Sequence, residues 1–212
     1  MCGIMLKHHG YKVTILEASA SDSRHGYDAG IKIGPEVETF LEKHDDVKYD
    51  MVITCLPGVA IGIDGSPIPQ RGQTIVNTSW GLFNSILRAN FDGRVSKAVP
   101  VAPKPREGDG TAKYVNGVRV THVQESEKGR VQVQSEDETG QARSPLEADI
   151  VVVADGSTSS MRSILLPEVE RKYLGYMCWR GTVQEELIDE KWNKLYAEKT
   201  TFHFMKKSYL LK

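Results

Sequence analysis

The order helix, glycine turn, strand, acid at the amino end limits the fold more than any other feature of the chain. Residues 1–9 carry an apolar helical pattern with no N-cap or preceding loop, and Gly10 stands where a C′ glycine ends a helix. In the stretch YKVTILEAS that follows, Val13, Ile15 and Leu16 read as a buried strand closed by Glu17. This order is the second half of a dinucleotide-binding βαβ unit, in which an acid at the end of the second strand accepts hydrogen bonds from a ribose. Gly3 and Leu6 fit the small-residue and leucine slots of such a helix. On that count a G-x-G-x-x-G loop would fall just before Met1, and the backbone N–H groups that hold a pyrophosphate would be absent with it. A plainer pattern also satisfies these residues: an amphipathic helix, then a core strand ending in a surface glutamate.

Residues 25–44 predict a Gly-rich turn, a short strand at Ile31 to Ile33 and a helix begun by Gly34-Pro35, with Val37, Phe40 and Leu41 on one face. MVITCLPG and AIGIDGSPI read as two short strands joined by Pro57-Gly58, with Asp64-Gly65 a turn signal. TSWGLFNSILRANF reads as a helix capped by Thr78 or Ser79, with Trp80, Phe83, Ile86 and Leu87 on its apolar stripe. Arg88 stands at the edge of that stripe, where a solvated cation favours the helix dipole. Residues 103–112 make a polar break. Beyond it, NGVRVTHV and GRVQVQ alternate as strands, turning at Glu127-Lys128-Gly129 and again near Asp137 to Gln141.

This meander is expected to feed a buried strand at Ile150 to Val153. A fully apolar run such as IVVVA suits a parallel sheet covered on both faces, and ligands bind just past the carboxyl ends of such strands. Asp155 occupies that position. Gly156 allows close backbone approach, Ser157, Thr158 or Ser159 can cap the next helix, and Arg162 lies near its first turns. An Asp-Gly turn before an ordinary capped helix accounts for the same residues.

Composition removes several classes. A formal net charge of −1 and a pI of about 6.6 create no field for nucleic acid or an anionic membrane. Cys2, Cys55 and Cys178 are distant, odd in number and without metal-ligand spacing, which predicts a reduced, cytoplasmic setting. No apolar run approaches the roughly 18 residues of a membrane span, and MCGIML lacks the basic region of a signal peptide. The histidines do not cluster at metal spacing, and His8-His9 is expected to face solvent. Trp179 and Trp192 read as packing residues, with Trp179 on a strand after the Asp-Gly segment, and Lys206-Lys207 as a solvated turn.

VVVADGSTSSMR resembles the Asp-Gly motif of the flavin-dependent aromatic hydroxylases, a strand ending in Asp-Gly followed by Ser and then Arg. YKVTILEAS, DAGIKIGPEVETFLEKHD, SWGLFNSILRANFDG and YMCWRGTV resemble segments of the same family in the same order, nearest to the 2,6-dihydroxypyridine 3-monooxygenase type. The resemblance implies an α/β fold: an incomplete Rossmann-like FAD-binding domain of the para-hydroxybenzoate hydroxylase kind over residues 1–165, with a β-strand insertion at about 45–70. Residues 166–212 would begin an antiparallel β-rich substrate domain. An ordinary NAD-dependent dehydrogenase domain would explain Glu17 but not the Asp-Gly segment or the antiparallel strands.

The family's members bind FAD, draw reducing equivalents from NADPH or NADH and hydroxylate an electron-rich ring, so the resemblance implies FAD as cofactor, NAD(P)H as co-substrate and a small aromatic or N-heteroaromatic substrate. It implies that Glu17 holds the adenosine ribose of FAD and that Arg88 lies near the ribityl chain and pyrophosphate. Asp155 and Gly156 would serve the FAD and nicotinamide sites, Arg162 would steady their segment, and Arg24, in the loop after Glu17, would join them. No general acid, general base or metal ligand is identified. The glycine loop and the family's later Gly-Asp motif both fall outside the sequence, so the expectation is a fragment of a monooxygenase, or alternatively a non-catalytic remnant, marginally stable as a lone chain.

Overall fold

The protein is described by a computed structural model that covers residues 1–21, 30–50, 58–68, 77–127, 129–179, 181, 183–193 and 201–211. The first helix, α1 (Cys2–His8), ends as its glycine predicts. Gly10 adopts a left-handed φ of 83°, its N–H donates to Lys7 O at 2.9 Å, and Tyr11 N–H donates to Leu6 O at 3.1 Å. Those two bonds are the Schellman pattern, and they turn the chain directly into β1 (Val13–Leu16).

β1 is half-buried rather than buried, and it pairs in parallel with β6 (Ala112–Val115), Ile15 facing Tyr114. The approach of these two segments depends on Gly110. A Cβ there would collide with the Tyr11 carbonyl, while the Gly110 N–H donates to Lys7 O at 2.8 Å. Gly3 has a comparable role in α1, since a Cβ would lie 3.0 Å from the Phe91 ring.

β2 (Gly30–Lys32) starts one residue earlier than the expected Ile31 and pairs antiparallel with β5 (Asn77–Ser79). Between them in the chain come α2 (Pro35–His44), with Pro35 in its first turn, and a small hairpin. AIGIDGSPI is not one strand: it folds about Asp64-Gly65 into β3 (Val59–Ile61) and β4 (Pro67–Ile68). The Asp64 carboxylate accepts from Ser66 N–H and Oγ, which closes the turn. MVITCL lies outside the described residues.

α3 (Trp80–Asp92) is capped by Ser79, whose Oγ accepts from Leu82 N–H at 3.1 Å, and it ends at Gly93 with φ 73°. Its burial departs from the expected stripe. Trp80, Phe83 and Leu87 are half-buried, while Ile86, Arg88, Ala89, Asn90 and Phe91 are all buried, because the last turns are enclosed by neighbours on several sides. Phe91 packs with Ile4 of α1 and Phe40 of α2 in one core cluster; Ile86 and Ala89 pack with Val99 in another. Each of the larger of these side chains, Ile4, Phe40, Ile86, Phe91 and Val99, is worth about 1.5–3 kcal/mol of burial.

The meander appears as β7 (Val118–Glu125), β8 (Val131–Asp137) and β9 (Leu146–Ala148), antiparallel throughout, with a register shift between Val120 and His122. The buried strand expected at Ile150 to Val153 is absent. Ile150 is 78% exposed and Val152 60%, and neither belongs to a strand. An apolar run becomes a strand only beside a partner that completes its ladder of N–H and C=O groups, and pairing with β8 ends at Ala148. After α4 (Ser160–Leu165) the chain runs on without a described strand until β10 (Thr201–Met205), so among the described residues around Trp179 the expected strand is also absent, Arg180 lying outside them. Trp179 is 90% exposed and is no packing residue; Trp192 is exposed too. β10 and β11 (Ser208–Leu211) form a hairpin turning at Lys206-Lys207, and β10 pairs in parallel with β3, giving the sheet order β11-β10-β3-β4. No described helix is long and apolar enough to cross a membrane.

Candidate functional site

The Asp-Gly segment forms a loop closed by its own side chains. Ser159 is the N-cap of α4, its Oγ accepting from Arg162 N–H at 2.9 Å, and the residue is buried. The Ser159 hydroxyl also bonds the Asp155 carboxylate, which accepts from Met161 N–H at 3.4 Å as well. Chiefly because of the Ser159 hydroxyl, the Asp155 carboxyl is held below the usual carboxylate range. Arg162 returns over the loop: its guanidinium donates to Gly156 O at 3.1 Å and to Ser157 O at 3.4 Å.

Gly156 has φ 83°, and nothing lies within 4 Å of where its Cβ would be, so the backbone there stands open to a ligand. Asp155 and Gly156 are exposed, whereas Met161 buries the first turn of α4. The loop therefore presents a carboxylate and a bare stretch of backbone, both fixed from behind by Ser159 and Arg162.

Glu17 stands one residue past β1. Its backbone bridges β6 and β7, with N–H to Val115 O and carbonyl from Val118 N–H, both at 2.9 Å. Its Oε1 accepts from Ser19 N–H at 2.8 Å. Beside it a shallow cleft of about 380 Å³ is lined by Ala18, Gly117, Arg119 and the 136–140 turn. That turn carries Glu136, Asp137 and Glu138, so the cleft is acidic except for Arg119, and neither Arg88 nor Asp155 lines it.

Arg88 is not the solvated cation its position suggested. It is 9% exposed and grips Asp92 through Nε at 3.1 Å and a terminal nitrogen at 2.8 Å, while its guanidinium lies 3.6 Å from the centre of the Tyr114 ring. A cation one turn before an acid on the inner face of a helix is drawn into this double contact once β6 supplies an aromatic ring. Arg24 lies outside the described residues.

The structure thus gathers Asp155, Gly156 and Arg162 into one loop, leaves Glu17 at the end of β1, and uses Arg88 to join α3 to β6. Toward FAD the match is divided. Glu17 and the Asp-Gly loop offer a carboxylate at a strand end and open backbone, which suit ribose and nucleotide contacts; Arg88, closed on Asp92 and Tyr114, does not suit a ribityl or pyrophosphate contact.

A polar junction that the sequence reading missed joins α2, α3 and the 103–110 loop. Asp46 N–H donates to Asn90 Oδ1, Asn90 Nδ2 donates to Asp45 Oδ1, and Arg106 of the polar break pairs with Asp46. Lys7 Nζ donates to the carbonyls of Asn90 and Phe91 at the end of α3. His8, expected in solvent, is half-buried against α2, its Nδ1 3.1 Å from Nδ1 of His44; His9 is exposed. The doublet Asp45-Asp46 directly after a helix was the available signal for this junction.

No family model and no curated protein matches the chain. Among solved structures, FqzB is similar in fold, with a TM-score of 0.54 and 21% identity. The match covers 77% of this chain and 35% of FqzB, so the chain spans about a third of that protein's length.

Proposed function

We propose that the chain belongs to a flavin-dependent monooxygenase that hydroxylates an aromatic or N-heteroaromatic ring with NAD(P)H and oxygen. The observation that carries this reading is the Asp-Gly loop, in which Ser159 and Arg162 hold the Asp155 carboxylate and the open Gly156 backbone at the start of a helix. The fold likeness to FqzB, a flavin-dependent monooxygenase, supports it. The α/β fold with several small sheets agrees with such a protein.

In this reading Glu17 accepts hydrogen bonds from the adenosine ribose, and Asp155 with the Gly156 backbone contacts the nucleotide; Arg24 belongs to the same group. Bound FAD would supply the redox chemistry, and the chain would orient it. Arg162 and Ser159 keep the loop in shape and Arg88 acts through packing. Residues 1–165 form the FAD-binding part and 166–212 begin the substrate part, although β3 and β10 share a sheet across that boundary. The partner is a small aromatic molecule rather than nucleic acid, and the exposed free thiols of Cys2 and Cys178 fit a reducing cytoplasm.

One observation favours a non-catalytic relative instead: the guanidinium of Arg88 is closed on Asp92 and Tyr114. Titrating FAD into the protein and following flavin fluorescence separates the two. Saturable quenching that weakens in Asp155→Ala and Glu17→Ala supports the flavoprotein, and an unchanged flavin spectrum supports the non-catalytic relative.

A further inference from the structure

His8 of α1 and His44 of α2 are 36 residues apart in sequence, yet their Nδ1 atoms lie 3.1 Å apart, and their rings stack with centroids 5.4 Å apart. The His44 ring stacks in turn on Phe40, at 5.0 Å, and Phe40 is part of the core cluster with Ile4 and Phe91. The histidine pair is therefore the polar edge of the contact that seats α1 beside α2.

A contact between two Nδ1 atoms at this distance requires one ring to donate and the other to accept. One proton between the two atoms satisfies both. A second proton on the accepting nitrogen would point two N–H groups at each other between two cations, which no rotation within the contact relieves.

The surrounding charges sharpen that limit. Arg106, from the 103–110 loop, opposes a charge on both rings, joined by Lys7 at His8 and by His9 and Lys43 at His44. Asp46 favours the charged form of both, and Asp109 that of His8. Burial is the largest influence on each ring, and the net direction is downward from the usual imidazole value.

Asp109 adds a destination. Its side chain is 4% exposed, its Oδ2 accepts from Arg106 N–H and pairs with Lys7, and its Oδ1 is buried with no hydrogen-bond partner. We propose that His8 and His44 form an acid-opened latch: at neutral pH they share one hydrogen bond that holds α1 to α2, and full protonation parts them, His8 turning to Asp109.

Groups whose folded pKa lies below the unfolded value add stability that is present above the unfolded value and lost as pH falls through the folded one. The window is therefore the acid side of the ordinary histidine value, near pH 6.5. Histidine ring ¹⁵N NMR of the whole protein, titrated from about pH 8 to about pH 5, tests the latch directly. The expected result is one ring protonated at Nδ1 and the other at Nε2 at high pH, and coupled titration of the two. Two Nε2–H rings titrating independently would overturn it. In thermal unfolding, the advantage of wild type over His44→Gln is expected to vanish on acidification, and Asp109→Asn to move the opening to lower pH. An advantage that stays constant across the range would count against the latch even if the spectra were ambiguous.

Discussion

Arg106 and Asp46, 60 residues apart in sequence, meet in a two-point ion pair, Nε to Oδ2 at 2.6 Å and a terminal nitrogen to Oδ1 at 2.8 Å. The same guanidinium donates to Lys43 O at the end of α2. The pair fastens the 103–110 loop to the end of α2, and through Asn90 the same corner reaches the end of α3.

Replacing Asp46 by Asn should cost about 1 kcal/mol or less at neutral pH, since both side chains are about a third exposed and solvent screens the pair. The Asp46 carboxyl is held below its usual range, first by the hydrogen bond from Arg106. Its contribution is thus present above the unfolded carboxylate value and lost as pH falls through the folded one. Urea unfolding of wild type and D46N should differ at pH 7 and converge in strong acid; a gap that persists at about pH 2 would assign the effect to something other than charge.

Gly110→Ala places a methyl group against the Tyr11 carbonyl. Because the collision is with backbone, the β1–β6 pair must shift, at a cost of about 1–3 kcal/mol. Gly129→Ala is the comparison: it carries a left-handed φ, which Gly110 does not, but nothing lies within 4 Å of its Cβ position. Chemical denaturation should show the larger loss for G110A.

Phe91→Ala should cost about 3–5 kcal/mol, since the ring is buried between Ile4 and Phe40 and also fills the space opposite Gly3. That is a large part of the stability of an ordinary domain of this size. A midpoint shift of the expected size in thermal unfolding checks it, and a loss below 1 kcal/mol would mean that α1 and α3 can close the gap.

Ser159→Ala removes the cap of α4 and the hydroxyl that holds Asp155. The helix loses about 1 kcal/mol, and the Asp155 carboxyl, relieved of its main stabilising bond, should titrate at higher pH. Carbon-detected NMR of the Asp155 carboxyl reads this shift. Ser159→Thr should keep both bonds, and if S159T behaves like S159A the hydroxyl is not what orders the loop.

Local signals in the sequence were reliable where one residue's backbone decides the outcome. Gly10 ended α1, and Ser79 and Ser159 capped α3 and α4, through bonds within a few residues, and Pro35 began α2 through the fixed φ of its ring. Ile150 to Val153 misled because hydrophobicity states a preference for burial without naming a partner strand. Arg88 and His8 misled for the opposite reason: their partners, Tyr114 and His44, come from elements that periodicity cannot bring together. Within the Asp-Gly loop the local pattern was enough for the cap and the loop's shape, since Ser159 accepts from Arg162 N–H and the Arg162 guanidinium returns to the carbonyls of Gly156 and Ser157, all within seven residues.

The pairing of Thr201 with Val59 also sets an order of events in time. Parallel pairing over such a sequence distance demands closure of a very long loop before any bond rewards it, which makes this sheet a late and slow step of folding. During synthesis at about 5–20 residues per second, the β3–β4 hairpin leaves the ribosome on the order of ten seconds before β10 exists to cover its edge. Through that interval an open strand edge is available to any neighbouring chain, so the yield of native protein should depend on nascent-chain concentration and on chaperones more than the small size of the hairpin would suggest.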